Sequence, residues 1–399
     1  MKNQQGSTRL RNFTILLGGT CSVLAAIMIS PALPGMAEAF AHVPNADFLV
    51  RMVLTMPALF VAVGALLVGA LLDRWGRKPV ILVSLQAYAL AGCAGFFLDS
   101  LVAILISRAI LGLAVAGIMS GFMTLMLDNF EGKALDRFLG LNGACICLGG
   151  IVGLIVAGYL ADFGWRYPFL IHLFALLIIP GTLFAVQEPE HLDRPQAEVK
   201  AKVPWIRLLP VYATAFSCTA LFFILPAQLP FYLMNNNDIG ASQVGIALAL
   251  PSIIGFIFAL LYQPLRARCS VQAIAAIIFF AFAISLQVLS TSAAYMVVIA
   301  GVVIGGIGVG LLSPNNSGWL ASLAPIQTRG RAVGVLTCSI FIGQFFAPIL
   351  SQPFVASLGL AKTFSVVAII AGLIGVLFAV LAVRQSMNTV PEHPTSETL

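Results

Sequence analysis

Charge is scarce in this chain. Only 9% of its 399 residues are Asp, Glu, Lys or Arg, against about a quarter in an ordinary soluble domain. With 60% hydrophobic residues and a mean hydropathy of +1.02, a soluble fold has too little polar surface to cover its core. The 15 acids avoid the middle of every apolar run. No nucleophile–base set, nucleotide-binding loop or metal-ligand cluster is present, so an enzyme, a metal site and a cofactor are not expected. The seven cysteines (Cys21, Cys93, Cys145, Cys147, Cys218, Cys269 and Cys338) lie inside or beside apolar runs. They lack the spacing of a disulfide framework or a zinc site and read as small buried hydrophobes. The net charge of +6 does not mark a nucleic-acid partner, because the basic residues sit in short loops between apolar runs.

Long hydrophobic runs fill the rest. Runs of about 20 residues, enough to cross a hydrocarbon core of about 30 Å, recur from end to end. The first, Phe13–Pro34, is too long for a signal-peptide core and leads into further runs. Twelve spans are expected, at 13–36, 49–72, 79–97, 101–127, 138–160, 166–187, 207–233, 243–263, 271–290, 294–320, 332–355 and 362–383. With the N-terminus in the cytoplasm, most of the 21 Lys and Arg fall on the cytoplasmic side. The exceptions are Arg51, Arg166 and Lys362 in the opposite loops and Arg108 inside the fourth run. That bias predicts both termini in the cytoplasm. The stretch 188–206 is polar and charged and reads as a linker; 384–399 reads as a disordered cytoplasmic tail.

The two halves repeat. One shift of 194 residues pairs Pro57 with Pro251, Arg74 with Arg268, Gly112 with Gly306, Arg137 with Arg331, Gly140 with Gly334 and Gly149 with Gly343. The expected fold is therefore an all-α polytopic membrane protein. Its twelve transmembrane helices form two pseudo-symmetric six-helix bundles, 1–187 and 207–383, with a site between them near the midplane.

The densest charge cluster is Gly69-Ala70-Leu71-Leu72-Asp73-Arg74-Trp75-Gly76-Arg77-Lys78. It lies between the second and third spans, where its glycines allow a tight turn. In the second half, Gln263-Pro264-Leu265-Arg266-Ala267-Arg268 keeps charge but puts Ala267 where Asp73 stands. The first loop resembles, residue for residue, the G-x-L-x-D-R-x-G-R-K loop of the major facilitator superfamily. The resemblance implies a conformational latch made by Gly69, Asp73, Arg74, Gly76, Arg77 and Lys78. Asp128, at the end of the fourth span, would complete a charge relay with Asp73 and Arg77.

Further stretches resemble the twelve-span drug:proton antiporter family. Arg108-Ala109-Ile110-Leu111-Gly112 is similar to the fourth-span Arg motif of proton-driven members, which implies proton coupling or an anion-holding role for Arg108. A charge at that depth needs a cavity or a partner; snorkelling or tying down carbonyls would also answer the need. The fifth span, with Gly149, Gly153 and Gly158, resembles the antiporter motif, though Leu154 stands where a proline is usual and Ala157 replaces a glycine. Its glycines, with Gly112, are expected to serve close helix packing. Trp165-Arg166-Tyr167-Pro168-Phe169 reads as a membrane-interface anchor.

The remaining polar residues are candidates for substrate or proton coupling: Glu38, His172, Asn142, Gln228, Asn315, Asn316 and Gln344. Polar groups in a span must be satisfied internally or by a ligand. The expected function is secondary transport by alternating access, foremost proton-coupled export of a small organic compound, drug or metabolite. A facilitator or symporter for an anionic metabolite and a receptor that lost transport are the alternatives. The expected partners are a small-molecule substrate, protons and the lipid bilayer, with the chain a monomer in a bacterial inner membrane.

Overall fold

A computed structural model describes residues 2–186, 203–235 and 239–388. Among them, twelve helices are long and apolar enough to cross a membrane, and no strand occurs. In chain order they are α1 (Thr8–Ala39), α2 (Ala46–Trp75), α3 (Arg77–Phe96), α4 (Leu101–Asn129), α5 (Gly132–Phe163) and α6 (Tyr167–Ala185). The second set is α7 (Trp205–Met234), α8 (Ala241–Leu260), α9 (Val271–Thr291), α10 (Tyr295–Leu323), α11 (Arg329–Leu358) and α12 (Leu360–Gln385). Every expected span is present. Most helices run a few residues beyond their apolar stretch, because backbone hydrogen bonding continues into the polar interface. The last helix reaches Asn388, so residues 384–388, expected to be tail, extend α12. The expected linker lies mostly outside the described residues, as does the tail from 389.

Two spans are irregular. The regular part of α1 ends at Ile27, and the chain resumes as a 3₁₀ turn at Ser30–Ala32 and a helix at Leu33–Ala39. Pro31 and Pro34 lack the N–H groups that would continue the helix. In α6, residues Tyr167–Leu177 wind as a 3₁₀ helix before Ile178–Ala185 becomes α-helical.

The helices form two bundles of six. In the first, α2 packs on α4, α3 on α4 and α6, and α1 on α5; in the second, α9 packs on α10 and α12, α7 on α11, and α8 on α10. The internal repeat is visible as contacts. A Cβ at Gly112 would collide with the Pro57 carbonyl group, and one at Gly306 would lie 3.0 Å from the Pro251 carbonyl oxygen. Each proline-bearing span thus receives a glycine of the fourth span of its own bundle. The absent side chain is what lets these backbones meet. Between bundles, α5 packs on α8 and α11 on α2.

Candidate functional site

The charged loop sits at one end of the helices, called here the loop end. Gly76 joins α2 to α3 with φ of +86°, a conformation that side chains disfavour. This corner carries Arg77 back against α4, where its Nε donates to Asp128 Oδ2 at 3.3 Å. Lys78 Nζ donates to the Leu183 carbonyl at 2.7 Å, tying α3 to α6. Of the expected relay, Arg77 and Asp128 meet. Asp73 and Arg74 are exposed, and Asp73 has no hydrogen bond or ion pair among the described residues. Gly69 faces open space, as do Gly140 and Gly143 on α5 and Gly330 and Gly334 on α11. All five glycines are exposed, and no side chain or backbone of the opposite bundle lies against them.

The opposite end is clasped. Arg51, at the start of the second span and counted from sequence with the opposite loops, lies inside α2 and is only 4% exposed. Its Nε donates to Gln228 Oε1 of α7 at 2.8 Å, and its Nη1 donates to the Asp47 carbonyl at 2.6 Å. The guanidinium lies 3.9 Å above the Phe231 ring of α7. Gln228 Nε2 in turn donates to Ser351 Oγ of α11 at 3.1 Å. One charged side chain therefore joins the first bundle to two helices of the second.

A second cross-bundle bond follows from proline spacing. Pro230 has no N–H, so the Pro226 carbonyl one turn earlier loses its helical partner. Ser30 Oγ of α1 donates to that carbonyl at 2.5 Å. Nearby, a Cβ at Gly158 of α5 would lie 2.7 Å from the Ala241 carbonyl oxygen and 2.9 Å from Ser242 Cα of α8. Asp162 accepts from the Ser242 N–H at 3.3 Å. Gly149 and Gly153, by contrast, face Thr20, Leu24 and Met28 of α1. The three glycines expected to serve close packing thus lie on two faces, because Gly158 comes five residues after Gly153 instead of four.

Arg108 is enclosed within the first bundle, with no exposed surface. Its Nη2 donates to the Gly92 carbonyl at 2.5 Å, and its guanidinium lies 4.7 Å from the Phe169 ring centre. His172 Nδ1 pairs with the Phe169 carbonyl at 2.9 Å, leaving Nε2 as the acceptor facing Arg108 Nη1 at 3.5 Å. Tyr88 packs on the His172 ring and donates to the Cys21 carbonyl. The structure thus brings Arg108 and His172 together, away from the bundle interface. Glu38 is exposed beyond the clasp. Arg166 holds the turn between α3 and α4 through the Phe96 and Leu98 carbonyls and Asp99.

Four other expected site residues are buried. Asn142, on α5, keeps an unpartnered Oδ1; Asn315 donates to the Val271 carbonyl at 3.2 Å; Asn316 has both amide atoms unpartnered; Gln344 is 3% exposed. Between the bundles lies a small gap of about 10 Å³, lined by Ile27, Leu154, Phe222, Pro226, Leu248 and Pro251 among others. Its wall is apolar and uses none of those four. Sequence reasoning missed Arg51, Ser351 and the Ser30 bond. The Pro226-x-x-x-Pro230 spacing was a legible signal for the last, since it frees a carbonyl inside a helix. Among the described residues, no three or more His, Cys, Asp or Glu gather as a metal site would require.

Twelve spans in two related bundles, joined by buried polar bonds at one end and carrying exposed charge at the other, define a two-bundle membrane transporter. A family model described as Major Facilitator Superfamily matches residues 15–235 and 211–398. The chain belongs to that superfamily. It is 26% identical over 343 residues to an MFS-type transporter of Methanocaldococcus jannaschii, covering 80% of this chain and 85% of that protein. It is 26% identical to multidrug resistance protein 1 of Bacillus subtilis, covering 71% of this chain and 74% of that one. A crystal structure of a D-xylose–proton symporter superposes with a TM-score of 0.75 at 13% identity, covering 93% and 97% of the two chains.

Proposed function

We propose that this protein exports a small organic compound against an inward flow of protons, by rocking its two bundles about a midplane site. The loop end is read as cytoplasmic, in agreement with the basic bias of its loops, with both termini on that side of a bacterial inner membrane and a monomer as the working unit. The units would be 1–187 and 207–383, joined by 188–206. The observation that carries the reading is the unequal state of the two ends. Arg51 and Ser30 close one, while Asp73 stands unengaged at the other. In the opposite state the clasp would part and Asp73 would engage as the loop end closes.

The apolar residues that meet between the bundles, among them Ile27, Leu154, Phe222 and Leu248, would line a site opened there and favour an amphipathic or apolar cargo over a strongly charged one, and a drug-resistance protein is among the relatives. Arg108 is occupied with backbone carbonyls and His172 inside its own bundle, which weighs against its holding an anionic substrate directly. Its role is read as fixing α3, α4 and α6 to one another.

Everted membrane vesicles test the proposal. With a pH gradient imposed, adding a transported compound should dissipate the gradient as the compound accumulates inside. Equilibration of the compound with no effect on the gradient would reject proton antiport and leave a facilitator.

A further inference from the structure

The bundles differ on their outer flanks. In the first, α6 closes against α1, with Gly181 seated on the Thr14 side chain. In the second, α12 packs along α9, where Phe279 and Phe378 stack at 5.6 Å. It meets α7 where Phe364 packs edge-on against Tyr232, and a crevice lies between the two helices further along.

Two adjoining cavities of about 230 and about 750 Å³ make up this crevice, and Ser217 and Ile374 line both. Every lining residue belongs to the second bundle, so the crevice lies apart from the transport site. Its chemistry is graded. Arg384 and Gln272 sit at the loop end; Phe279, Trp319 and Phe378 follow; Leu350, Phe354 and Ile370 lie furthest from it. From Arg384 to Val367 it follows α12 for 17 residues, about 25 Å at the helical rise. One leaflet supplies about half of a 30 Å hydrocarbon core. The crevice therefore accommodates a full acyl chain below a head group at Arg384. Gln272 Oε1 is buried with no hydrogen-bond partner, a deficit that a donor on a ligand head group would remove after a small turn of the carboxamide.

We propose that this crevice binds one anionic glycerophospholipid. Its phosphate pairs with Arg384, a head-group hydroxyl donates to Gln272, and one acyl chain lies over Phe279, Trp319 and Phe378. Cation at the mouth, unmet acceptor beside it and aromatic floor beyond match the order of charge, hydroxyl and hydrocarbon in phosphatidylglycerol. A zwitterionic choline lipid offers neither net negative charge nor a head-group donor.

Trp319 is the natural reporter, since it is 7% exposed and lines the crevice. The protein, with Trp75, Trp165 and Trp205 replaced by Phe, is placed in phosphatidylcholine nanodiscs containing rising fractions of chain-brominated phosphatidylglycerol. Quenching of Trp319 should saturate at a low fraction, and Arg384→Gln should raise the midpoint about fivefold, the effect of one basic residue on an anionic lipid. Ala213→Phe, which fills the crevice from the exposed face of α7, should abolish the saturable quenching. Native mass spectrometry of the chain with all its tryptophans should find one retained phosphatidylglycerol, lost in Arg384→Gln. Equal quenching by brominated phosphatidylcholine, or a midpoint unmoved by Arg384→Gln, would overturn the proposal.

Discussion

The two ends of the helix bundle are built on opposite principles. The clasp end relies on buried polar contacts between bundles: Arg51 to Gln228, Gln228 to Ser351, and Ser30 to a carbonyl that Pro230 leaves free. The loop end carries its charge within one bundle, with Arg77 half-buried on Asp128, Lys78 on Leu183 and Asp73 exposed. Buried bonds are strong because water cannot replace them. Exposed charges are cheap to rearrange, because water supports them in either arrangement. A transporter that alternates needs its two closures near balance, since a shift from 1:99 to 99:1 requires about 5.5 kcal/mol. The clasp holds the state described here, and on the proposed reading the charged loop would oppose it.

The largest expected effect comes from wedging the clasp. Gly158→Leu forces a branched side chain into the α8 backbone. It should hold the clasp end apart and abolish transport while the protein still folds, because each bundle keeps its own core. Accessibility of a cysteine at Ala37, beside Ala356 at that end, reads the opening in a background without native cysteines. Arg51→Ala comes next. It removes a charge-assisted hydrogen bond and leaves Gln228 Oε1 buried without a donor, a change of about 2–3 kcal/mol against the clasped state. The same cysteine should become many-fold more reactive.

Ser30→Ala should cost the clasped state about 1 kcal/mol, because only a neutral bond to the Pro226 carbonyl is lost. Pro230→Ala sharpens that test. It returns a helical partner to the carbonyl, so the serine becomes partly redundant and the two changes are non-additive. Smallest is Asp73→Asn. Asp73 is unpartnered in the clasped state, so thermal stability should shift by less than about 0.5 kcal/mol while turnover falls. A large loss of stability would show that Asp73 is already engaged.

Much of the fold was legible because lipid imposes a simple rule. A span of sufficient length must be apolar, and the hydropathy of α2 or α10 records that directly. The repeat of Gly112 on Pro57 and Gly306 on Pro251 was legible because close backbone approach demands glycine. The site was less so. Arg51 falls where an apolar run begins, and sequence has no means to tell a buried helix start from a loop. Gln228 stood out as a polar residue in a span, yet its partners lie 177 and 123 residues away. Arg108 was conspicuous for its charge, but only the fold reveals that it turns into its own bundle.

The most direct test is a pair of spin-label distances across the two bundles, one between positions 137 and 331 at the loop end and one between 37 and 356 at the clasp end. The account predicts that Arg51→Ala shortens the first and lengthens the second. Two distances that move in the same direction, or that ignore the loss of Arg51, would contradict it.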